Sequence, residues 1–220
     1  MKYEIELFSD LNDALKEDIN KHGKLVKFKK GESFFSAEDA MKNFYVFLSG
    51  KVKIYQINLE NAKEQTIFLL SLGDMYDTIT LLDGEHHDVV ADILEDGEAL
   101  CLPIVKVREW LYSNPAFNRI FFPYIANQMR RVEELATDLS LYSTSERLMK
   151  LILKNVAPKG VKSLLHNLSR TEIANLIGTV RHVVDRHINE LKSDGAIEVK
   201  RKQIIIKDIQ KLIKKLKFLE

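Results

Sequence analysis

Along the first half of the chain, apolar residues recur with the two-residue period of strands. An amphipathic stretch from Leu11 to His22 predicts a helix; then Leu25-Val26-Lys27-Phe28-Lys29 alternates and Lys30-Gly31-Glu32 turns. Phe44 to Leu48 is a β-rich run closed by Ser49-Gly50, and Lys51 to Ile57 alternates again. Gln65 to Leu70, a turn at Leu72-Gly73-Asp74, Asp88 to Leu94, a turn at Glu95-Asp96-Gly97 and Ala99 to Ile104 complete the series. Many short strands punctuated by Gly and Asp turns predict an antiparallel β-roll or sandwich.

After Asn114-Pro115 the period changes. Phe121, Ile125, Gln128, Val132, Leu135, Leu139 and Tyr142 fall at intervals of four and three, a heptad seam with one polar position at Gln128. Pro123 has no N–H to give, so the regular helix is expected to begin close to it and run to about Tyr142, roughly 30 Å at about 1.5 Å per residue. A helix lying on its own domain would present a wider apolar stripe, so the narrow seam predicts a homodimer interface.

The last segment opens with a capping-box spelling, Ser143-Thr144-Ser145-Glu146, ahead of Leu148, Leu151, Ile152 and Val156. A second box, Ser169-Arg170-Thr171-Glu172, starts a short helix to Ile177. Gly178 breaks it, Thr179 is placed to cap the next helix, and Val180 to Lys192 carries Val183, Val184, Ile188 and Leu191 inward. Two short apolar strands follow, Ile197 to Val199 and Ile204 to Ile206, joined by Lys200-Arg201-Lys202-Gln203. A helix pair with a tight glycine turn and a basic hairpin behind it spells a winged helix-turn-helix. The fold class is therefore α+β: a β-roll domain over residues 1–114, a long helix over 115–143, and a winged helix-turn-helix over 144–220.

Composition narrows the function. At 220 residues and 45% hydrophobic content the chain can bury one large core or two modest ones. Its single cysteine, Cys101, excludes an internal disulfide and fits a core position in a reducing cytoplasm. The amino terminus lacks the apolar core of a signal peptide and no apolar run approaches the roughly 18 residues of a membrane span. The net charge of +1 conceals a partition. Met1 to Ser143 holds 16 Lys and Arg against 24 Asp and Glu, whereas Thr144 to Glu220 holds 17 against 8. A basic module for a polyanion, kept apart from an acidic one, is the expectation.

In a helix-turn-helix the second helix enters the major groove with its amino-terminal residues against base edges. Here those are Thr179, Val180, Arg181, His182, Asp185 and Arg186. The guanidinium fork matches guanine O6 and N7, which makes Arg181 and Arg186 the expected base readers; otherwise they would clamp phosphate or be solvated surface charges. Ser169, Arg170, Thr171 and the wing residues Lys200, Arg201 and Lys202 have the chemistry of backbone contacts.

From these residues the chain resembles the CRP/FNR superfamily of bacterial transcription regulators. The stretch Asn43-Phe44-Tyr45-Val46-Phe47-Leu48-Ser49-Gly50-Lys51-Val52-Lys53-Ile54-Tyr55, then Leu72-Gly73-Asp74-Met75-Tyr76, the long helix, and Ser169 to Ile206 follow the family's order and spacing. The resemblance implies a cyclic-nucleotide-binding-like sensor, dimerisation through the long helix, binding to double-stranded DNA with a two-fold symmetric site, and RNA polymerase as a partner. Where many members have Arg, Glu and a later Arg, this chain has Arg181, His182 and Arg186.

The sensor departs further from that pattern. Members that bind cyclic nucleotides hold the phosphate with a Gly-Glu pair and an Arg-Ser pair; the matching positions here are Asp77-Thr78 and Asp88-Val89. Between Glu64 and Val105 there is no Lys or Arg, so cyclic AMP is not the expected ligand. The cysteine cluster of iron-sulfur members is absent, and the haem-ligating positions of carbon monoxide sensors read Asp77 and Ile79. Glu85-His86-His87-Asp88 reads as a polar surface turn rather than a metal site. The sequence identifies no cofactor. An effector pocket for a neutral or cationic small molecule is expected near Met75, Asp77, Thr78, Gln128 and Met129, after the family's geometry. An alternative function is a β-roll module that regulates a protein partner, although such a module has no need of the Ser169 to Lys202 features. No phosphate loop, nucleophile elbow or metal-protease histidine pair supports an enzyme.

Overall fold

The computed structural model describes residues 8–32, 36–156, 163–200 and 203–216. These divide into two compact units, one from Met1–Gln56 with Ile67–Val132 and the other from Ile57–Thr66 with Glu133–Glu220.

In the first unit, helix α1 (Asp13–His22) is capped by Asn12, whose side chain accepts from Leu15 N, and it buries Leu15 and Ile19. Strand β1 (Lys24–Phe28) and the short helix α2 (Ala37–Ala40) lead to β2 (Asn43–Phe47), β3 (Lys51–Asn58) and β4 (Lys63–Leu70), of which the end of β3 and the start of β4 are counted with the second unit. The two-residue strand β5 (Met75–Tyr76), helix α3 (Thr78–Asp83), β6 (Val90–Glu95), β7 (Gly97–Pro103) and helix α4 (Ile104–Ser113) follow. One sheet has the order β1-β7-β2-β5 and the other β4-β3-β6. The β1–β7, β2–β7, β2–β5 and β3–β6 pairs are antiparallel.

Strand alternation divides the core in two. Phe44, Val46, Leu100 and Leu102 project from β2 and β7 onto a layer of helices that includes Ile19, Val107, Trp110, Phe117 and Phe121. Tyr45, Phe47 and Ala99, on the opposite face of the same strands, pack against Val52, Ile54, Leu70 and Ile93 of the second sheet. At Gly97 the backbone passes close to the β2–β3 turn: a Cβ there would lie 2.3 Å from Ser49 O and 2.7 Å from Gly50 Cα.

Alternation in β3 gave no sign of where its lysines lie, and one expectation about α5 needs correction. Lys51 and Lys53 are each 5% exposed. Each lies directly opposite a carboxylate of β6 in the sheet register, with Lys51 Nζ 3.1 Å from Glu95 and Lys53 Nζ 3.1 Å from Asp92, and Lys53 covers the Tyr55 ring. Cross-strand neutralisation and an aromatic face let the two ammonium groups remain inside. The long helix α5 spans Pro115–Leu141 and so begins well before Pro123, which lies inside it. Asn114 Oδ1 accepts from Ala116 N and Phe117 N, and Pro115 takes the first helical position, where its fixed φ is favourable. Pro123 removes only one internal donor, and buried Phe117 and Phe121 anchor the helix on both sides of the position that would pair with it.

The second unit contains helix α6 (Thr144–Lys154), helix α7 (Arg170–Leu176), helix α8 (Arg181–Ser193), the antiparallel strands β8 (Ile197–Lys200) and β9 (Gln203–Ile206), and helix α9 (Ile209–Lys215). Both expected capping boxes form: Ser143 with Glu146, and Ser169 with Glu172. Leu148, Ile152, Ile173, Val184, Ile188, Leu191, Ile197 and Leu212 make the core. The connection from α5 to α6 is braced by Lys150, which pairs with Asp138 and stands 3.9 Å above the Tyr142 ring.

Candidate nucleic-acid interface and sensor site

The turn between α7 and α8 is set by Gly178, at φ +66°. Thr179 does not cap α8 as expected. Its N–H donates to Ala174 O, 2.9 Å away, and the cap position falls to Val180, which makes no side-chain capping bond. Thr179 is thereby fixed in the turn, and the first turn of α8 keeps amide donors without an internal partner.

Helix α8 is sharply two-sided. Val184, His187, Ile188 and Leu191 are buried, and His187 is held between Thr144 Oγ1 at 3.3 Å and Glu190 Oε2 at 3.0 Å. On the other side the side chains of Arg181 and Arg186 are 71% and 63% exposed, His182 is exposed, and Val180 is 47% exposed. Arg186 approaches Glu190 at 4.0 Å, while Asp185 lies 3.5 Å from both Arg181 Nε and Arg170 Nε. Ser169 caps α7, Arg170 is its first residue and Thr171 is exposed beside them. Burial depresses the pKa of Arg170 while Asp185 opposes that shift, and a guanidinium stays charged in either case. Lys200 closes β8 with its ammonium 2.8 Å from Glu198 Oε1. Arg201 and Lys202, expected at the wing tip, lie outside the described residues.

In the first unit the expected pocket residues are held by different means. Met75 is buried, and its N–H donates to Tyr124 Oη at 2.9 Å. Asp77, in the left-handed region at φ 57°, caps α3 and accepts from Thr80 Oγ1 at 2.8 Å. The same carboxylate meets His87 Nδ1 at 2.9 Å, and this hydrogen bond raises the His87 pKa from its ordinary value. Thr78 is half-buried at the start of α3. Gln128 is 9% exposed and its Oε1 accepts no hydrogen bond among the described residues, whereas Met129 is 68% exposed. Asp74, 3.7 Å from Arg131 Nη1, has its pKa raised because burial outweighs the charge and hydrogen bonds that favour its ionised form. The Cys101 thiol is likewise pushed up by burial.

Sequence reasoning did not single out Tyr124 and Arg131, nor the Asp77–His87 and Lys–carboxylate pairs. The ten-residue separation of Asp77 and His87 offers no periodic signal, since α3 lies between them. Among the described residues no group of three or more His, Cys, Asp or Glu side chains is placed to hold a metal ion.

Of the expected α5 seam, Phe121 is fully buried in its own unit and Gln128 nearly so. Ile125, Leu135 and Tyr142 are half-buried, while Val132 and Leu139 are 44% and 38% exposed.

Two packed antiparallel sheets with a helical layer, and a separate unit carrying a helix-turn-helix and a two-stranded wing, define a DNA-binding regulator with a β-roll sensor. Comparison with known proteins agrees in both parts. Residues 25–114 match the cyclic nucleotide-binding domain and residues 146–215 the Crp-like helix-turn-helix domain. The chain belongs to the CRP/FNR superfamily of transcription regulators. It is 22% identical over 214 residues to a CRP-like cAMP-activated global transcriptional regulator of Mycobacterium tuberculosis, with 95% of both chains covered. It is 27% identical over 205 residues to electron transport regulator A of Shewanella oneidensis, covering 89% of this chain and 79% of that protein. The structure of FixK2 from Bradyrhizobium japonicum has the same fold, with a TM-score of 0.76, 19% identity, and 87% of this chain and 96% of that one covered. Among the described residues no helix is long and apolar enough to cross a membrane.

Proposed function

We propose that the chain acts as a cytoplasmic homodimer which reads a two-fold symmetric site on double-stranded DNA, under a sensor that does not take cyclic AMP. The observation that carries the DNA reading is the two-sided α8: its core face is buried while Arg181, His182 and Arg186 stand exposed over the first two turns. Arg181 and Arg186 then read guanine, and Arg170, Thr171 and Lys200 meet phosphates. Ser169 contributes through the cap that orients Arg170.

The proposed dimer seam keeps Ile125, Val132 and Leu139 of the expected one and replaces Phe121, Gln128 and Leu135 by the next residue in each case. Phe122, Ile125, Met129, Val132, Ala136 and Leu139 recur at three and four residues, and five of them are exposed while Ile125 is half-buried. Leu135 and Tyr142 flank this stripe. We take residues 1–114 as sensor, 115–143 as dimer helix and 144–220 as the DNA-binding domain, with RNA polymerase as the protein partner.

The M. tuberculosis relative carries cAMP activation in its name. Here Asp77 itself caps α3 and pairs with His87, while Lys51 and Lys53 are paired with β6 carboxylates. Two like charges about 4 Å apart cost around 4 kcal/mol at an effective dielectric near 20, roughly a thousandfold in affinity, so a cyclic phosphate placed against Asp77 is rejected to that extent while His87 is neutral. A neutral or cationic small molecule beside Met75, Asp77, Thr78, Gln128 and Met129 suits this chemistry. Selection of bound fragments from genomic DNA by purified protein, with and without millimolar cyclic AMP, tests the whole reading. Enrichment of a palindromic site unaffected by the nucleotide is expected; no enrichment, or enrichment only with cyclic AMP, would overturn it.

A further inference from the structure

Asp185 is the only acidic residue in the first two turns of α8, where Arg181, His182 and Arg186 form the exposed face. Its carboxylate is shared: Oδ2 lies 3.5 Å from Arg181 Nε, one turn back on the same helix, and Oδ1 lies 3.5 Å from Arg170 Nε at the start of α7. The three side chains are exposed to different degrees, 71% for Arg181, 42% for Asp185 and 25% for Arg170, so the carboxylate joins a solvated guanidinium to a partly enclosed one. At this separation the contacts are ion pairs rather than directed hydrogen bonds, and they yield to a better-matched partner.

We propose that Asp185 is a specificity-determining positioning residue, which holds Arg181 for base reading and makes docking on the wrong sequence unfavourable. The inference rests on α8 being the helix that enters the groove. A carboxylate there is repelled by the phosphate rails on every sequence. That repulsion lowers affinity for every sequence alike and so holds down non-specific binding; discrimination itself widens because Arg181, held by the carboxylate, is readied for a guanine that only the cognate site supplies. The shared carboxylate also restricts a long, rotamer-rich Arg181 before DNA arrives, so less freedom is lost when the fork meets a base. Arg170 is tied to the same anion, which links the residue facing the backbone to the one facing the base.

The test uses full-length wild type, D185A, D185N, R181A and the R181A/D185A double variant. Each is titrated with the duplex enriched by the wild type and with a scrambled duplex over a range of salt concentrations, and the enrichment is repeated with each variant. D185A is expected to bind the scrambled duplex about tenfold more tightly at low salt, with a smaller gain on the enriched site, so that the ratio between them falls. Its base preference at the guanine assigned to Arg181 should flatten. D185N, which keeps the polar bridge and loses the charge, should show the same rise on scrambled DNA and retain part of the base preference; it also serves if D185A proves unstable. In the R181A background, D185A should leave base preference at that position unchanged. Equal changes on both duplexes, an unaltered preference in D185A, or a further loss of preference in the double variant would each overturn the proposal. Failure of the wild type to enrich any sequence is a separate result, and it would overturn the DNA reading together with the inference resting on it.

Discussion

Replacing Gly178 by alanine tests how the helix-turn-helix is held. Gly178 adopts φ +66°, a conformation that costs an ordinary L-residue about 1–2 kcal/mol. The site is crowded as well: a Cβ there would stand 2.4 Å from Leu139 Cδ2 and 2.9 Å from Gln65 Oε1. Gln65 Nε2 donates to Asn175 O at 3.0 Å, so its amide cannot retreat without straining that bond, while the 38% exposed Leu139 of α5 must swing aside. Overpacking of this kind adds about 1–3 kcal/mol, for a total of about 2–4 kcal/mol. Gly195, in the same unit at φ +68°, is the matched control, because its added Cβ would meet nothing closer than Lys211 Nζ at 3.5 Å. In calorimetry the transition of the second unit should fall by about 10 °C or more for G178A and by about half as much or less for G195A, since 1 kcal/mol moves a domain of this size by about 4–8 °C. Site affinity should fall with G178A as well, because the turn orients α8. Equal shifts for the two variants would refute the steric part of the argument, and an unchanged G178A would refute all of it.

Alanine at Arg181 should weaken the enriched site by roughly 10- to 100-fold, the measure of about 1–3 kcal/mol per bidentate base contact, and hardly affect random duplex. Alanine at Lys200 should weaken both alike and lower the slope of log affinity against log salt by about one. Glutamate at Val132, 44% exposed on the α5 stripe, should shift sedimentation from dimer to monomer and abolish high-affinity binding of the palindrome. The Asp77–His87 pair gives a pH signature. Because the folded pKa of His87 is raised, its contribution is complete below the unfolded value near 6.5 and is lost as pH rises through the folded value. The first unit of the wild type should therefore lose thermal stability as the pH is raised above about 6.5, relative to a His87→Asn variant, which should lack that slope.

Local rules accounted for both helix caps at Ser143 and Ser169, the order of the strands along the chain, the two strands of the wing and the helix pair around Gly178. Each depends on neighbours within a few residues, through side-chain-to-amide bonds, a two-residue period or a left-handed glycine. The same rules misplaced the start of α5, since Pro123 reads as a boundary until Asn114, Pro115 and the buried Phe117 fix an earlier one. They also gave no sign that Lys51 and Lys53 are buried, because β6 carboxylates directly opposite are invisible to periodicity.

By itself the sequence determined the winged helix-turn-helix, the strand-rich first unit, the partition of charge and the placing of Arg181 and Arg186 on the second helix of the pair. Tertiary structure alone decided which apolar positions of α5 are left after Phe121 joins the core of its own unit. It also decided that Asp77 finds His87 across α3, and that Asp185 sits between arginines from two helices. Periodicity and capping are written in short-range steric and hydrogen-bonding rules, whereas the pairing of charges distant in sequence depends on how the elements pack.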